Sequence, residues 1–251
     1  MVTFRYDLKP ENPARLGLIV LQSDERIESD FRRLMPDRGD LFVSRIPSAA
    51  DVTPETLQSM ERHLTASASL FPQARPFDVI GYGCTSGSAQ IGPDAVADNV
   101  KRGVSVRAVT NPLTALVQTC RAAGIDRLGF LSPYVETVSG RLRDTLAGAG
   151  VKTPVFGSFD EGEEARVARI QPESMVAAGA DLAKGGGIDA LFLSCTNLDT
   201  LDIIEPLQQQ TGLPVLSSNL VLAWHMAQLG GVKLADIPAT RHLISACPVS
   251  K

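Results

Sequence analysis

The chain has 251 residues, of which 44% are hydrophobic and 21% charged, and its formal net charge is −4. That length buries a large core in one domain or two small ones, the balance is that of an ordinary soluble protein, and there is no basic field for nucleic acid. The four cysteines stand in no zinc-like CxxC spacing, which points to reactive or buried thiols rather than a disulfide framework.

Residues 1–10 contain no apolar signal core, and no later stretch stays apolar long enough to span a bilayer, so a cytoplasmic protein is expected. Residues 15–21 contain a continuous apolar strand, and residues 24–34 follow with Ile27, Phe31 and Leu34 on one helical face. A second strand at 41–44 and a long helix at 54–70 lead to the apolar run 77–83. This run ends in glycines and then Cys84, Thr85 and Ser86. A short strand at 106–111 ends in Asn111, and a helix is expected over 112–123.

The same order then returns. Strands at 127–132 and 154–156, helices at 138–146 and 172–184, and a turn at Gly185, Gly186 and Gly187 precede the apolar run 188–194, which ends in Cys195, Thr196 and Asn197. A strand at 214–219 ends in Asn219, with a helix over 220–229. Arg127 stands 112 residues after Arg15, and Cys195 stands 111 after Cys84. Separate features recurring at nearly one offset imply a duplicated half-chain. The expected architecture is α/β, with two pseudo-twofold-related parallel sheets of flavodoxin-like form. One half takes residues 1–110 with 220–251, the other 111–219, and the active site lies between them. Ligands in such sheets bind beyond the carboxyl ends of the strands, where Cys84, Cys195, Asn111 and Asn219 are expected.

A thiol at a strand end that opens a helix faces free backbone N–H groups and the positive helix end, which favour thiolate. A lone cysteine is more often a small buried hydrophobe, and Cys120 and Cys247 are read that way. The matched contexts of Cys84 and Cys195 argue instead for a functional pair. His63, His225 and His242 are isolated and suggest no metal site, His225 being read as packed. The loop 81–87 lacks the lysine of a phosphate-binding loop. The acidic run at 160–164 reads as a solvated helix start.

The Gly83-Cys84-Thr85-Ser86 and Ser194-Cys195-Thr196-Asn197 segments, in two duplicated α/β halves, resemble the aspartate/glutamate racemase superfamily. Leu16-Gly17-Leu18-Ile19-Val20 and Ser132-Pro133-Tyr134 look most like its maleate cis-trans isomerase and arylmalonate decarboxylase branch. Leu21-Gln22-Ser23-Asp24-Glu25-Arg26 is similar to ectoine-utilisation racemase-like members. The likeness covers nearly the whole chain.

It implies cofactor-free isomerase or racemase chemistry on a small carboxylate or amino-acid-like substrate, in a protein that is a homodimer. Cys84 and Cys195 are the implied catalytic pair, acting as acid and base or as nucleophile and acid. Thr85, Ser86 and Thr196, with neighbouring N–H groups, would stabilise an electron-rich carboxylate. Asn111, Tyr134, Asn197 and Asn219 would orient substrate, or serve only as caps and packing residues.

The branch's isomerases are expected to carry Asn where this chain has Asp24, which would pair with a substrate ammonium or simply cap a helix. Its decarboxylases are expected to keep only the second-half cysteine. A decarboxylase and a non-catalytic carboxylate binder remain the alternatives.

Overall fold

The computed structural model of the chain describes residues 1–8, 10, 14–36 and 39–247. The apolar run at Arg15–Leu21 forms β1, buried along its whole length because strands lie on both sides of it and helices cover the sheet. α1 (Ile27–Leu34) turns Ile27, Phe31 and Leu34 inward. It starts later than the pattern suggests because Asp24 holds the chain ahead of it: Asp24 Oδ1 accepts the N–H groups of Arg26 and Ile27, each at 2.8 Å.

β2 (Asp40–Ile46), α2 (Pro54–Ser59), α3 (Glu61–Ser69), β3 (Phe77–Gly83), α4 (Thr85–Ile91), α5 (Pro93–Gly103) and β4 (Val106–Thr110) complete the first unit. The single helix expected over 54–70 is two helices, broken at Met60, whose N–H bonds the Leu57 carbonyl and whose sulfur receives the Tyr82 hydroxyl at 3.6 Å.

The second unit runs through α6 (Pro112–Ala123), β5 (Arg127–Tyr134), α7 (Glu136–Gly148), β6 (Lys152–Glu161), α8 (Glu164–Val167), α9 (Pro172–Lys184), β7 (Ala190–Leu193), α10 (Leu201–Thr211) and β8 (Val215–Ser217). α11 (Ser218–Gly230) and α12 (Pro238–Ala246) end the described chain. The strand expected to reach Asn219 stops at Ser217, and Asn219 lies in the first turn of α11.

Each unit forms a four-stranded, all-parallel sheet, in the orders β2-β1-β3-β4 and β6-β5-β7-β8. The two orders correspond strand for strand, as the repeat implies. α11 is apolar on nearly every side and packs on β3, β1 and β4 as well as on α6, α1 and β8. Gly81 makes room for it, since a Cβ there would lie 2.5 Å from the Met226 sulfur. α12 packs on α10.

The loops that follow β2 and β6 also meet. Val52 N–H bonds Gly162 O at 2.8 Å and Glu164 N–H bonds Ala50 O at 3.0 Å, around an antiparallel bridge between Asp51 and Glu163. Among the described residues, no helix is long and apolar enough to cross a membrane.

Candidate active site

Cys84 follows β3 and is the N-cap of α4. Its sulfur accepts the Gly87 N–H at 3.1 Å. A side chain at position 87 would put a Cβ 2.8 Å from that sulfur, so only glycine lets the amide approach so closely.

Cys195 follows β7, but its setting differs from the expected one. Residues 196–200 form a turn and α10 starts only at Leu201, so Cys195, unlike Cys84, does not cap the helix that follows it. Its φ is +149°, a backbone region that side-chain-bearing residues rarely adopt. The strained turn is held by the Asn197 N–H on Sγ at 3.3 Å and by the Cys195 N–H on Ser218 Oγ at 3.0 Å.

The two motifs are bonded to one another across the halves. Thr85 donates its hydroxyl to Ser218 Oγ at 2.8 Å, so that one oxygen receives both the Cys195 amide and the residue after Cys84. Thr196 donates to the Gly83 carbonyl at 3.3 Å. From the second half Tyr134, at the end of β5, puts its hydroxyl 3.0 Å from Cys195 Sγ and donates to Glu164 Oε1 at 2.7 Å. Asn197 Nδ2 donates to Glu164 Oε2 at 2.9 Å and to the Glu164 carbonyl at 3.3 Å, while Asn197 Oδ1 accepts the Glu25 N–H at 2.8 Å.

Asp24 reaches the same place from β1. Its Oδ1 is spent on the chain ahead of α1, whereas Oδ2 is buried with no hydrogen-bond partner. Cys84, Cys195, Tyr134, Asp24 and Glu164 are all 5% exposed or less, so little of the site meets solvent.

Burial decides the ionisation here. It pushes the Cys84 thiol up to about 12, with the Glu164 and Asp24 carboxylates adding to the rise and the Gly87 amide and Tyr82 hydroxyl opposing it. Cys195 is raised well above the ordinary thiol value by burial and then by Glu164, against the Tyr134 hydroxyl and the Asn197 amide. The two donors at each sulfur favour thiolate, as expected of the strand ends, but burial outweighs them and both thiols are raised. Burial also raises the carboxyls of Asp24 and Glu164, the latter the more because of Asp24, and the Tyr134 phenol well above its usual value.

Other expected residues stand apart from the sulfurs. Asn111 caps α6, its Oδ1 accepting the Thr114 N–H at 2.9 Å. Asn219 Nδ2 braces the turn, donating to Thr196 O and to Asp30 Oδ2, both at 2.8 Å. Ser86 is buried in the first turn of α4. His225 hydrogen-bonds Thr110 Oγ1 at 2.7 Å, and burial lowers its pKa to about 4. All four cysteines are free thiols.

Glu164 and Ser218 were not legible as site residues. The acidic run read as solvated instead ends β6 with Asp160 and Glu161 and turns Glu164 inward to 5% exposure. Its one signal was position, an acid just past the carboxyl end of a sheet strand. Among the described residues, no three of His, Cys, Asp or Glu are grouped to hold a metal ion.

A family model described as arylmalonate decarboxylase matches residues 16–241 of the chain. A maleate isomerase from Alcaligenes faecalis is 24% identical over 246 residues, covering 92% of this chain and 96% of its own. An arylmalonate decarboxylase from Bordetella bronchiseptica is 28% identical over 223 residues, covering 86% and 90%. The fold is similar to that of a Nocardia farcinica maleate cis-trans isomerase solved with a covalently bound succinylcysteine intermediate. The TM-score is 0.74 at 24% identity, covering 86% of this chain and 92% of that one.

Proposed function

The chain belongs to the arylmalonate decarboxylase family, and from that premise we propose that it is a cofactor-independent isomerase using Cys84 and Cys195 on a small carboxylate. One observation carries this proposal. Equivalent ends of the two sheets each supply a thiol, and the motifs bearing them are bonded together through Ser218 and through Thr196 to Gly83.

Two thiols suit two related reactions. In racemisation one sulfur, as thiolate, takes the proton alpha to the carboxylate while the opposite thiol delivers one to the other face. In cis-trans isomerisation one sulfur adds to the alkene carbon and the π electrons move toward the carboxylate. Rotation follows about the new single bond, and expulsion of the sulfur restores the alkene. The second thiol serves as acid and base. The succinylcysteine held by the Nocardia farcinica enzyme supports the addition route for this chain. Either route builds negative charge that the amides past each cysteine are suited to meet.

Asp24 supports a narrower substrate class. Its unpartnered Oδ2 and the nearby Glu164 carboxyl surround the thiols with acidic groups, which disfavours a second substrate carboxylate and favours an ammonium group. The substrate is then amino-acid-like. Decarboxylation is the second reading, favoured by the family model itself, and the presence of Cys84 argues against it.

The deciding experiment incubates the protein in deuterium oxide with maleate, aspartate, glutamate and N-acetylated diamino acids. Proton NMR follows isomerisation and exchange at carbon. Turnover that survives both Cys84→Ala and Cys195→Ala would refute the two-thiol chemistry. Carbon dioxide release from a malonate, unaffected by Cys84→Ala, would establish the decarboxylase instead.

A further inference from the structure

Tyr134 has one hydroxyl proton, and the 2.7 Å bond to Glu164 Oε1 uses it. The 3.0 Å contact between Tyr134 Oη and Cys195 Sγ must then have the thiol as donor. The resting order is Cys195 S–H to Tyr134 O–H to Glu164 carboxylate, a directed chain with a base at its far end. Asn197 fixes both ends, donating its side-chain amide to Glu164 Oε2 and its backbone N–H to Cys195 Sγ.

We propose that Glu164 is the positioning base that makes the Cys195 thiolate, taking the proton through Tyr134. The Cys195 S–H bond breaks and its proton goes to Tyr134 Oη, while the Tyr134 O–H bond breaks and its proton goes to Glu164 Oε1. Tyrosine ends neutral, the carboxylate ends as the acid, and the negative charge has moved to sulfur. No proton enters or leaves the site, so the step needs no solvent and no outside base.

The burial that keeps the thiol protonated also makes the carboxylate a stronger base, which narrows the gap the proton has to cross. Among the described residues Cys84 has no such chain, its sulfur bonding the Gly87 amide and the Tyr82 side chain. The two thiols are therefore unequal, and Cys195 is the one with a hydrogen-bonded route to a carboxylate.

The titratable and charged groups that face Glu164 are Tyr134 from β5, Cys195 after β7, Asp24 after β1 and Cys84 after β3, with Arg45 of β2 beside Asp24. No cation among them bonds the Glu164 carboxylate directly.

The proposal rests on the two-thiol reading only for its purpose, and its test needs no substrate. Iodoacetamide labelling of Cys84 and Cys195 is followed separately by peptide mass spectrometry from pH 5 to 10. Internal transfer conserves total protonation. Wild-type Cys195 should therefore gain reactivity as Glu164 ionises, hold a plateau through neutral pH, and rise again only when the thiol itself titrates.

Glu164→Gln and Tyr134→Phe should each remove the plateau, lowering labelling at pH 7.5 by about tenfold or more and leaving one alkaline limb. Cys84 labelling should be unchanged in Tyr134→Phe and should only rise in Glu164→Gln, because the Glu164 carboxylate helps to hold that thiol protonated. A plateau retained in Tyr134→Phe, a single alkaline limb in the wild type, or a parallel loss of labelling at Cys84 would each overturn the relay. If Glu164→Gln does not fold, Tyr134→Phe decides alone, because it deletes one oxygen and leaves the carboxylate in place. Turnover lost with labelling unchanged would refute the relay while leaving the two-thiol chemistry standing.

Discussion

Thr196 of the second half gives its hydroxyl to the Gly83 carbonyl of the first, 113 residues earlier in the chain. Gly83 is the last residue of β3 before Cys84, and Thr196 directly follows Cys195. The bond therefore ties the two cysteine-bearing segments to each other across the halves.

Ser218 is the second tie, and Ser218→Ala leaves the Cys195 amide and the Thr85 hydroxyl without their acceptor in a buried place. A loss of about 1–3 kcal/mol in unfolding free energy is expected from urea titration. Turnover should fall further than stability does, because the strained turn at Cys195 loses a support. Turnover tracking stability alone would mean that Ser218 is only a packing residue.

On the proposed two-thiol chemistry, loss of either sulfur should be severe. Cys84→Ala and Cys195→Ala are each expected to lower exchange of substrate carbon-bound hydrogen by about 10²-fold to 10⁴-fold. If Cys195 adds covalently, Cys84→Ala should accumulate an adduct on Cys195 that intact-mass measurement detects.

Asp24→Asn keeps a side-chain oxygen for the Arg26 and Ile27 amides while removing the negative charge on the other side. Fold stability should change little. The ratio of kcat/KM for an ammonium-bearing substrate over a dicarboxylate should drop by about tenfold to a hundredfold, the worth of one charge-assisted bond. An unchanged ratio would remove Asp24 from substrate recognition.

Asp30 lies under the site, bonded to Asn219, and burial raises its carboxyl to about 7 from an ordinary 3.8, with Asp199 and Asp24 adding and Asn219 and Arg33 opposing. Between about pH 4 and pH 7 the folded protein holds a proton that the unfolded chain releases. Stability therefore falls as pH rises through that window and levels off above it. The full effect is on the order of 4 kcal/mol. Urea midpoints should be higher at pH 5 than at pH 8, and Asp30→Asn should flatten the difference. Midpoints that rise with pH would contradict the assignment.

Gly87→Ala tests the close approach at Cys84. A methyl there crowds the sulfur, the Tyr82 hydroxyl and the Met60 methyl, each within 2.9 Å of the new carbon. Activity should fall together with stability, the latter by about 1–3 kcal/mol as in other overpacked cores. A wild-type urea midpoint would show that the neighbours yield freely.

Much of the fold could be read in the chain because buried parallel strands are written as unbroken apolar runs. Arg15–Leu21, Phe77–Gly83 and Arg127–Tyr134 announce themselves that way. The repeat spacing supplied the pairing of halves. β6 was only partly legible, since Gly157, Ser158, Asp160 and Glu161 are poor strand formers and hide its last turn toward the site. With that end hidden, Glu164 looked like one more surface acid. The ionisation of the cysteines was misjudged for a related reason: local sequence records the amides that would stabilise a thiolate, but burial comes from distant segments. Asp24 was read as either cap or substrate ligand, and the structure gives one oxygen to the first and leaves the other without a partner.

The seam between the halves also holds the two cysteine-bearing segments against each other. Loosening it should therefore register first as a change in chemical fidelity, with the fold itself still intact. In a protein whose two jaws are closed by Thr196, Ser218 and the 50–52 and 162–164 backbone rungs, warming should blunt selectivity at temperatures where the two sheets have not begun to melt.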